Sequence, residues 1–236
     1  ASADDLGLTR GDGVFDAMRV LPGEGGWYAE NLELHLARFV RSAIAAELPE
    51  PDSDAWRAAI TEALAACEVP GQGVLKLVLT RGDDHASQRL PLGFCTISAL
   101  VAGGRRPLDV TTLSIGRPSD AFADAPWLLG GVKTLSYALA MSGKREATRR
   151  GCDDALWLDG GGQILETAGA NIFAVDQSGA VLTPPVSRGL LPGVVRAAIL
   201  REFPGAREAL VDLTALADAA ELFITNSLIG VLPVAA

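Results

Sequence analysis

The sequence predicts an α+β protein in two lobes. Three observations carry this. Helix-period and strand-type segments alternate through the first half, short strand segments joined by tight glycine turns fill much of the second, and Gly103-Gly104-Arg105-Arg106-Pro107 reads as a linker between them. The boundary drawn there gives lobes of residues 1–104 and 105–236. A chain of 236 residues, 49% hydrophobic and 21% charged, is long enough for one large core or two small ones and too apolar to be disordered.

The elements follow in order. Leu32, Leu36, Phe39, Val40, Ala43 and Ile44 form an apolar stripe at helical spacing, with Asn31 placed to cap it. Ser53 is placed to cap a second helix with Trp56, Ile60, Leu64 and Cys67 on one face. Strands are expected at 74–80, 93–101 and 109–115. Residues 134–150 have a helical period that stops at Gly151, a suitable C′ residue. Strands at 155–158, 163–166, 172–175 and 180–182 are separated by the turns Asp159-Gly160-Gly161-Gly162 and Gln177-Ser178-Gly179, so pairing there is expected to be mostly antiparallel. Pro192 and Gly193 open a short helix at 194–203, and Thr214 is placed to cap one or two turns before a strand at 221–225.

Composition excludes several function classes. No run reaches the roughly 18 apolar residues of a membrane-spanning helix. The net charge of −9 argues against a nucleic-acid surface. Cys67, Cys95 and Cys152 are odd in number, which fits a reducing cytoplasm, and with His35 and His85 they show no ligand spacing, so no metal site is expected. The first ten residues, Ala1 to Arg10, are polar and acidic, unlike a signal peptide. Without an initiator Met, and with both ends in loop or strand-end sequence, the chain reads as trimmed.

Five features could carry chemistry, and each also has an ordinary explanation. Of the 20 basic residues only Lys76, Lys133 and Lys144 are lysines. Lys76 and Lys144 read as solvated. Lys133 follows Gly130-Gly131-Val132 near Trp127, Leu128 and Leu129, where partial desolvation suits a Schiff-base nucleophile, or it is a surface loop lysine. The run from Gly189 to Arg196 leads into a helix start whose amides and dipole favour phosphate, or is a plain loop-to-helix junction. His35 and Arg38 share a helix face, with Arg38 suited to bidentate phosphate recognition or simply solvated. Glu166 ends a strand before a small-residue turn and could pair with a protonated ring nitrogen or form a salt bridge. Thr225-Asn226-Ser227 places hydrogen-bonding side chains at a strand end, toward a ligand or into a turn.

Their order and spacing are more specific. Lys133, Glu166, the Leu191-Pro192-Gly193 helix start and Thr225-Asn226-Ser227 together resemble the fold-type IV pyridoxal-phosphate enzymes, the class IV aminotransferase family. That group holds branched-chain aminotransferases, D-amino-acid transaminases and 4-amino-4-deoxychorismate lyases. The resemblance runs from Gly11-Asp12-Gly13-Val14-Phe15 to Gly230-Val231-Leu232-Pro233-Val234 and includes Thr80-Arg81-Gly82, which the whole group shares. It implies a small N-terminal α/β lobe, a larger C-terminal cofactor-binding lobe and a homodimer. It implies that pyridoxal 5′-phosphate forms a Schiff base with Lys133 and that Glu166 pairs with its ring nitrogen. Arg38, helped by the backbone N–H groups of Val194 and Val195 and the hydroxyl of Ser227, would hold its phosphate, and Asn226 would also bind the cofactor. Arg19, Arg89 and Tyr137 are the candidates for substrate.

Within the group, Lys133-Thr134-Leu135-Ser136-Tyr137-Ala138 and Asn226-Ser227 look like the lyase versions of their motifs, where branched-chain transaminases usually have Gly-Thr at the latter. The implied activity is conversion of 4-amino-4-deoxychorismate to 4-aminobenzoate and pyruvate, a step toward folate, in the cytoplasm. Asp16-Ala17 stands where lyases often carry Glu-Thr after the phenylalanine, a departure that bears on substrate handling. The alternatives are a branched-chain or D-amino-acid transaminase on the same scaffold and, in another class, a non-catalytic homologue that binds cofactor or a partner. Joint retention of Lys133, Glu166 and Arg38 argues against the last.

Overall fold

The computed structural model describes residues 2–85, 90–101, 106–118 and 120–235. The chain forms two compact units, Ala1–Gly103 with Val132–Tyr137, and Gly104–Gly131 with Ala138–Ala236. Gly103, Gly104 and Arg105 of the expected linker lie outside the described residues. The segment Val132–Tyr137 belongs to the first unit, although the sequence reading assigned it to the second lobe.

The first unit is built on a four-stranded antiparallel sheet in the order β2-β1-β3-β4: β1 (Gly13–Gly23), β2 (Gly26–Ala29), β3 (Gly73–Thr80) and β4 (Leu92–Ala99). β1 buries alternate residues, Val14, Asp16, Met18 and Val20. This period of two marks a half-buried strand, and a carboxylate on its core face hides that pattern from a hydropathy reading. The β1–β2 hairpin is therefore not evident from hydropathy alone. After α1 (Leu6–Thr9), two longer helices supply the rest of the core: α2 (Leu32–Ala45) packs on β1, and α3 (Ser53–Ala65) on β2 and β4. Phe39, Leu36 and Ile60 meet Leu75, Leu77 and Met18 in one cluster.

Two helix caps in this unit differ from expectation. Asn31 is in the left-handed region and makes no side-chain cap bond, and the cap of α3 is Asp52, whose carboxylate accepts from the amides of Asp54 and Ala55. The buried face of α2 is also rotated. His35, Arg38 and Ser42 are buried with Leu36, Phe39 and Ala43, whereas Ile44 is exposed.

The second unit holds a five-stranded sheet, order β10-β9-β8-β11-β12, and a three-stranded sheet, order β5-β6-β7. Its strands are β5 (Val110–Ser114), β6 (Asp154–Leu158), β7 (Ile164–Thr167), β8 (Asn171–Val175), β9 (Val181–Thr183), β10 (Arg207–Glu208), β11 (Glu221–Asn226) and β12 (Gly230–Pro233). Pairing is mostly antiparallel, with β5–β6 and β9–β10 parallel. Leu156, Leu158 and Ile164 share one core with Ile172, Ala174 and Ile224, so both sheets close on the same apolar cluster. The helices are α4 (Ala138–Arg149), α5 (Val194–Glu202) and α6 (Leu213–Ala217). Asp212, not Thr214, caps α6, accepting from the amide of Ala215.

The helix expected from residue 134 begins only at Ala138. The four residues before it are drawn off by sheet bonding within the first unit. The amide of Phe15 donates to the carbonyl of Lys133 (2.9 Å), and the amide of Leu135 donates to the carbonyl of Gly13 (2.8 Å). The lysine segment thus occupies the edge of β1 that β2, paired farther along at Val20 to Gly23, leaves open. Edge backbone groups need partners, and this demand overrides a helical period that is locally sound.

Candidate active site

In the first unit, the core-facing Asp16 of β1 meets the polar stripe of α2. Its carboxylate accepts from Arg38 Nε (2.8 Å) and Nη2 (2.7 Å) and from His35 Nδ1 (2.7 Å). The amide of Ala17 adds a fourth donor at 2.8 Å. All three side chains are almost wholly buried, at 0% exposure for Asp16, 1% for His35 and 4% for Arg38. Burial acts to raise the Asp16 pKa, but the hydrogen bonds and charges of Arg38 and His35 together outweigh it and hold the carboxyl below its ordinary value. An ionised carboxylate only accepts, so His35 carries its proton on Nδ1. Arg38 is therefore not the solvated cation of an amphipathic helix. Its Nε–Nη2 edge is clamped by Asp16, which fixes the plane of the guanidinium. Asp16 has no exposed surface, and its carboxylate is engaged by Arg38, His35 and the Ala17 amide.

Lys133 is held from both sides of its backbone. Its carbonyl accepts from Phe15, and its amide donates to Ser42 Oγ on α2 (3.3 Å). The same helix face therefore carries His35, Arg38 and the anchor of the lysine. Lys133 Nζ lies 4.5 Å from the centre of the Phe15 ring and 5.9 Å from that of Tyr137, and these rings meet edge to face at 5.3 Å. The rings narrow the range of positions the amine can take.

In the second unit, Glu166 lies on β7 and its carboxylate is cradled by amides. Asn171 Nδ2 donates to Oε2 at 2.9 Å, and the Leu191 amide donates to Oε1 and Oε2 at 3.2 and 3.3 Å. Asn171 Nδ2 also donates to the Leu191 carbonyl (3.0 Å). Both groups facing that nitrogen are acceptors, which fixes the orientation of the amide. Its Oδ1 then points toward Gly193, where any Cβ would overlap it. The turn from Thr167 to Ala170 is closed by Thr167 Oγ1, which accepts from the Ala170 amide (3.0 Å).

Gly193 is also the N-cap of α5 and contributes no side-chain bond to it. The first amides of a helix lack intrahelical acceptors, so Val194 and Val195 present donors with the positive end of the helix dipole behind them. Three polar side chains close β11. Thr225 Oγ1 is buried and has no partner, and Ser227 is buried at 9% exposure. Asn226 is engaged structurally: its Oδ1 accepts from the amides of Leu228 and Ile229 (both 2.9 Å) and its Nδ2 donates to the Gly169 carbonyl (3.1 Å). Asn226 thus shapes the hairpin that carries Ser227 and ties it to the turn after Glu166. An uncapped helix start and an unsatisfied buried hydroxyl in one unit suit a phosphate ester. A carboxylate aimed by neutral amides suits a protonated ring nitrogen, and a tethered lysine amine suits an aldehyde.

The family model for class IV amino-transferases matches residues 13–236. This chain belongs to the class IV aminotransferases. It is 35% identical over 209 residues to a bifunctional aminodeoxychorismate lyase / D-amino acid transaminase of Mycobacterium tuberculosis, covering 84% of this chain and 70% of that protein. A fold IV-transaminase, CpuTA1, from Curtobacterium pusillum matches with a TM-score of 0.90 at 34% identity, covering 99% of this chain and 82% of the other. The PLP-bound form of a hypothetical aminotransferase from Mycobacterium tuberculosis matches at 0.89 and 31%, covering 99% and 84%. The fold is fold-type IV.

Not every expected site residue of this class IV aminotransferase is placed for a ligand. Arg19 forms a bidentate pair with Glu30 across the hairpin, at 2.8–3.0 Å, and is committed there. Tyr137 stands beside the lysine amine, and Arg89 lies outside the described residues. Lys76 is exposed, and Lys144, whose side chain is also solvated, lies 3.7 Å from the buried carboxylate of Asp154. Among the described residues no His, Cys, Asp and Glu cluster could hold a metal, and no helix is long and apolar enough to cross a membrane. The sequence reading missed Asp16, Ser42 and Asn171 as positioning groups. The signal for each is a polar side chain at a position where the period calls for an apolar one.

Proposed function

We propose that this class IV enzyme is a pyridoxal-phosphate-dependent 4-amino-4-deoxychorismate lyase that releases 4-aminobenzoate and pyruvate. The single observation that carries the lyase reading is the Asn226-Ser227 pair, whose asparagine side chain builds the β11–β12 turn and fastens it to Gly169. Glycine at position 226 would make none of these three side-chain bonds. The relative named as a bifunctional aminodeoxychorismate lyase / D-amino acid transaminase supports the same reading and favours D-amino-acid transamination as the second.

When bound, pyridoxal phosphate supplies an electrophilic aldehyde and a ring that accepts an electron pair. Lys133 would hold the aldehyde carbon. When free, its amine would take the proton from the carbon that bears the substrate's amino group. Glu166 keeps the ring nitrogen protonated. Arg38, the α5 amides of Val194 and Val195, and the hydroxyl of Ser227 hold the phosphate. Tyr137 and Phe15 limit the arc through which the lysine amine swings. The reading includes assembly as a homodimer in the cytoplasm.

Purified enzyme mixed with aminodeoxychorismate and no keto acid should yield many equivalents of 4-aminobenzoate and pyruvate. Stoichiometric conversion of the cofactor to its amine form by D-alanine or L-leucine, with no 4-aminobenzoate released, would place the chain among the transaminases instead.

A further inference from the structure

We propose that Asn171 is the positioning residue that aims the Glu166 carboxylate at the cofactor's ring nitrogen, an inference that rests on the assignment of Glu166 above. Asn171 begins β8 and is 4% exposed. Its Nδ2 reaches both Glu166 Oε2 and the Leu191 carbonyl, while the Leu191 amide returns to the same carboxylate. The three groups close a ring of hydrogen bonds linking β7, β8 and the loop before α5. Each donor in this ring is neutral, so it fixes where the carboxylate points without cancelling its charge. Gly193 belongs to the device. Only a residue without Cβ leaves room for Asn171 Oδ1, and a displaced amide could no longer face two acceptors at once.

The test compares two probes on the full chain stripped of cofactor: pyridoxal 5′-phosphate, and its 1-deaza analogue with C–H in place of the ring nitrogen. The ratio of their dissociation constants, read by tryptophan fluorescence, reports the ring-nitrogen interaction separately from phosphate and aldehyde binding. Wild type should prefer the natural cofactor. Asn171→Ala should reduce that preference by roughly 10-fold, the scale of one hydrogen bond to a charged group. Asn171→Asp, which keeps the shape and replaces the donor by an acceptor, should reduce it at least as far. A ratio unchanged from wild type in either folded variant overturns the proposal, even if both affinities fall, because a merely structural role weakens the two probes equally. A wild type with no preference overturns the assignment of Glu166, and this proposal with it.

Discussion

The two units each hold an ionic side chain that the proposed function uses, one buried and one half-buried, and the neighbours that orient it differ. In the first, the Arg38 guanidinium is clamped by the carboxylate of Asp16, with His35 completing the set. In the second, the Glu166 carboxylate is oriented by the neutral amides of Asn171 and Leu191. The difference follows from the cost of burial. A charge with almost no exposed surface needs a counter-charge, because desolvation is otherwise prohibitive. Glu166 is half-buried and keeps part of its hydration, so neutral amides can help to set its direction. The first arrangement serves folding and geometry together. The second leaves the direction of the carboxylate set by groups that a single substitution can remove.

The largest effect is expected from breaking the first arrangement. Asp16→Ala leaves Arg38 buried without its clamp and should cost about 3–5 kcal/mol of stability, read by urea denaturation. The pH dependence has a definite sign. The Asp16 pKa is lowered in the folded state, so its contribution is complete above its ordinary value of 3.8 and is lost as pH falls below that through the folded value. Wild type should therefore lose stability on acidification in a range where Asp16→Ala shows a shallower loss. A variant as stable as wild type would mean that the clamp is not what holds the first unit together.

Breaking the second arrangement should leave stability nearly intact and strike turnover. Glu166→Gln keeps the shape and removes the charge, and kcat should fall by roughly 100-fold, the scale of one lost electrostatic stabiliser, with far less change in cofactor occupancy. Proportional losses in both would make Glu166 structural. A smaller change sharpens the first arrangement: Arg38→Lys keeps the charge but cannot form the planar fork, so the cofactor should bind about 10-fold more weakly. Equal affinity would remove Arg38 from the phosphate site. The least effect belongs to a surface pair in the same unit. Arg57 reaches Glu33 at 2.7 Å in open solvent, and Arg57→Ala should leave the melting temperature indistinguishable from wild type.

These contrasts also explain which parts of the molecule could be read in advance. Segments whose apolar period matches their burial, such as β3, β6, β8 and α5, were placed to within a residue or two. The β1–β2 hairpin was missed because Asp16 occupies a core position, and the face of α2 was misjudged because His35, Arg38 and Ser42 are buried beside its apolar stripe. The start of α4 was drawn too early because residues 134–137 have a helical period that sheet-edge bonding overrides. Each error marks a place where a polar group is buried for a purpose, or where a backbone edge must be paired, and hydropathy registers neither.

The sequence by itself determined the chemical parts and their order: a scarce lysine after paired glycines, a strand-end glutamate, a glycine-started helix and a polar strand end. It also determined the α+β character, because periodicity is a local property. Tertiary structure alone decided what those parts do to one another. Asp16 reaches partners 19 and 22 residues away, and Leu191 reaches Glu166 across 25 residues. Such pairings depend on how strands and helices close on a shared core, and no local spacing specifies them. The roles of Asp16, Ser42 and Asn171 therefore become visible only once desolvation and hydrogen-bond satisfaction are settled for the folded chain as a whole.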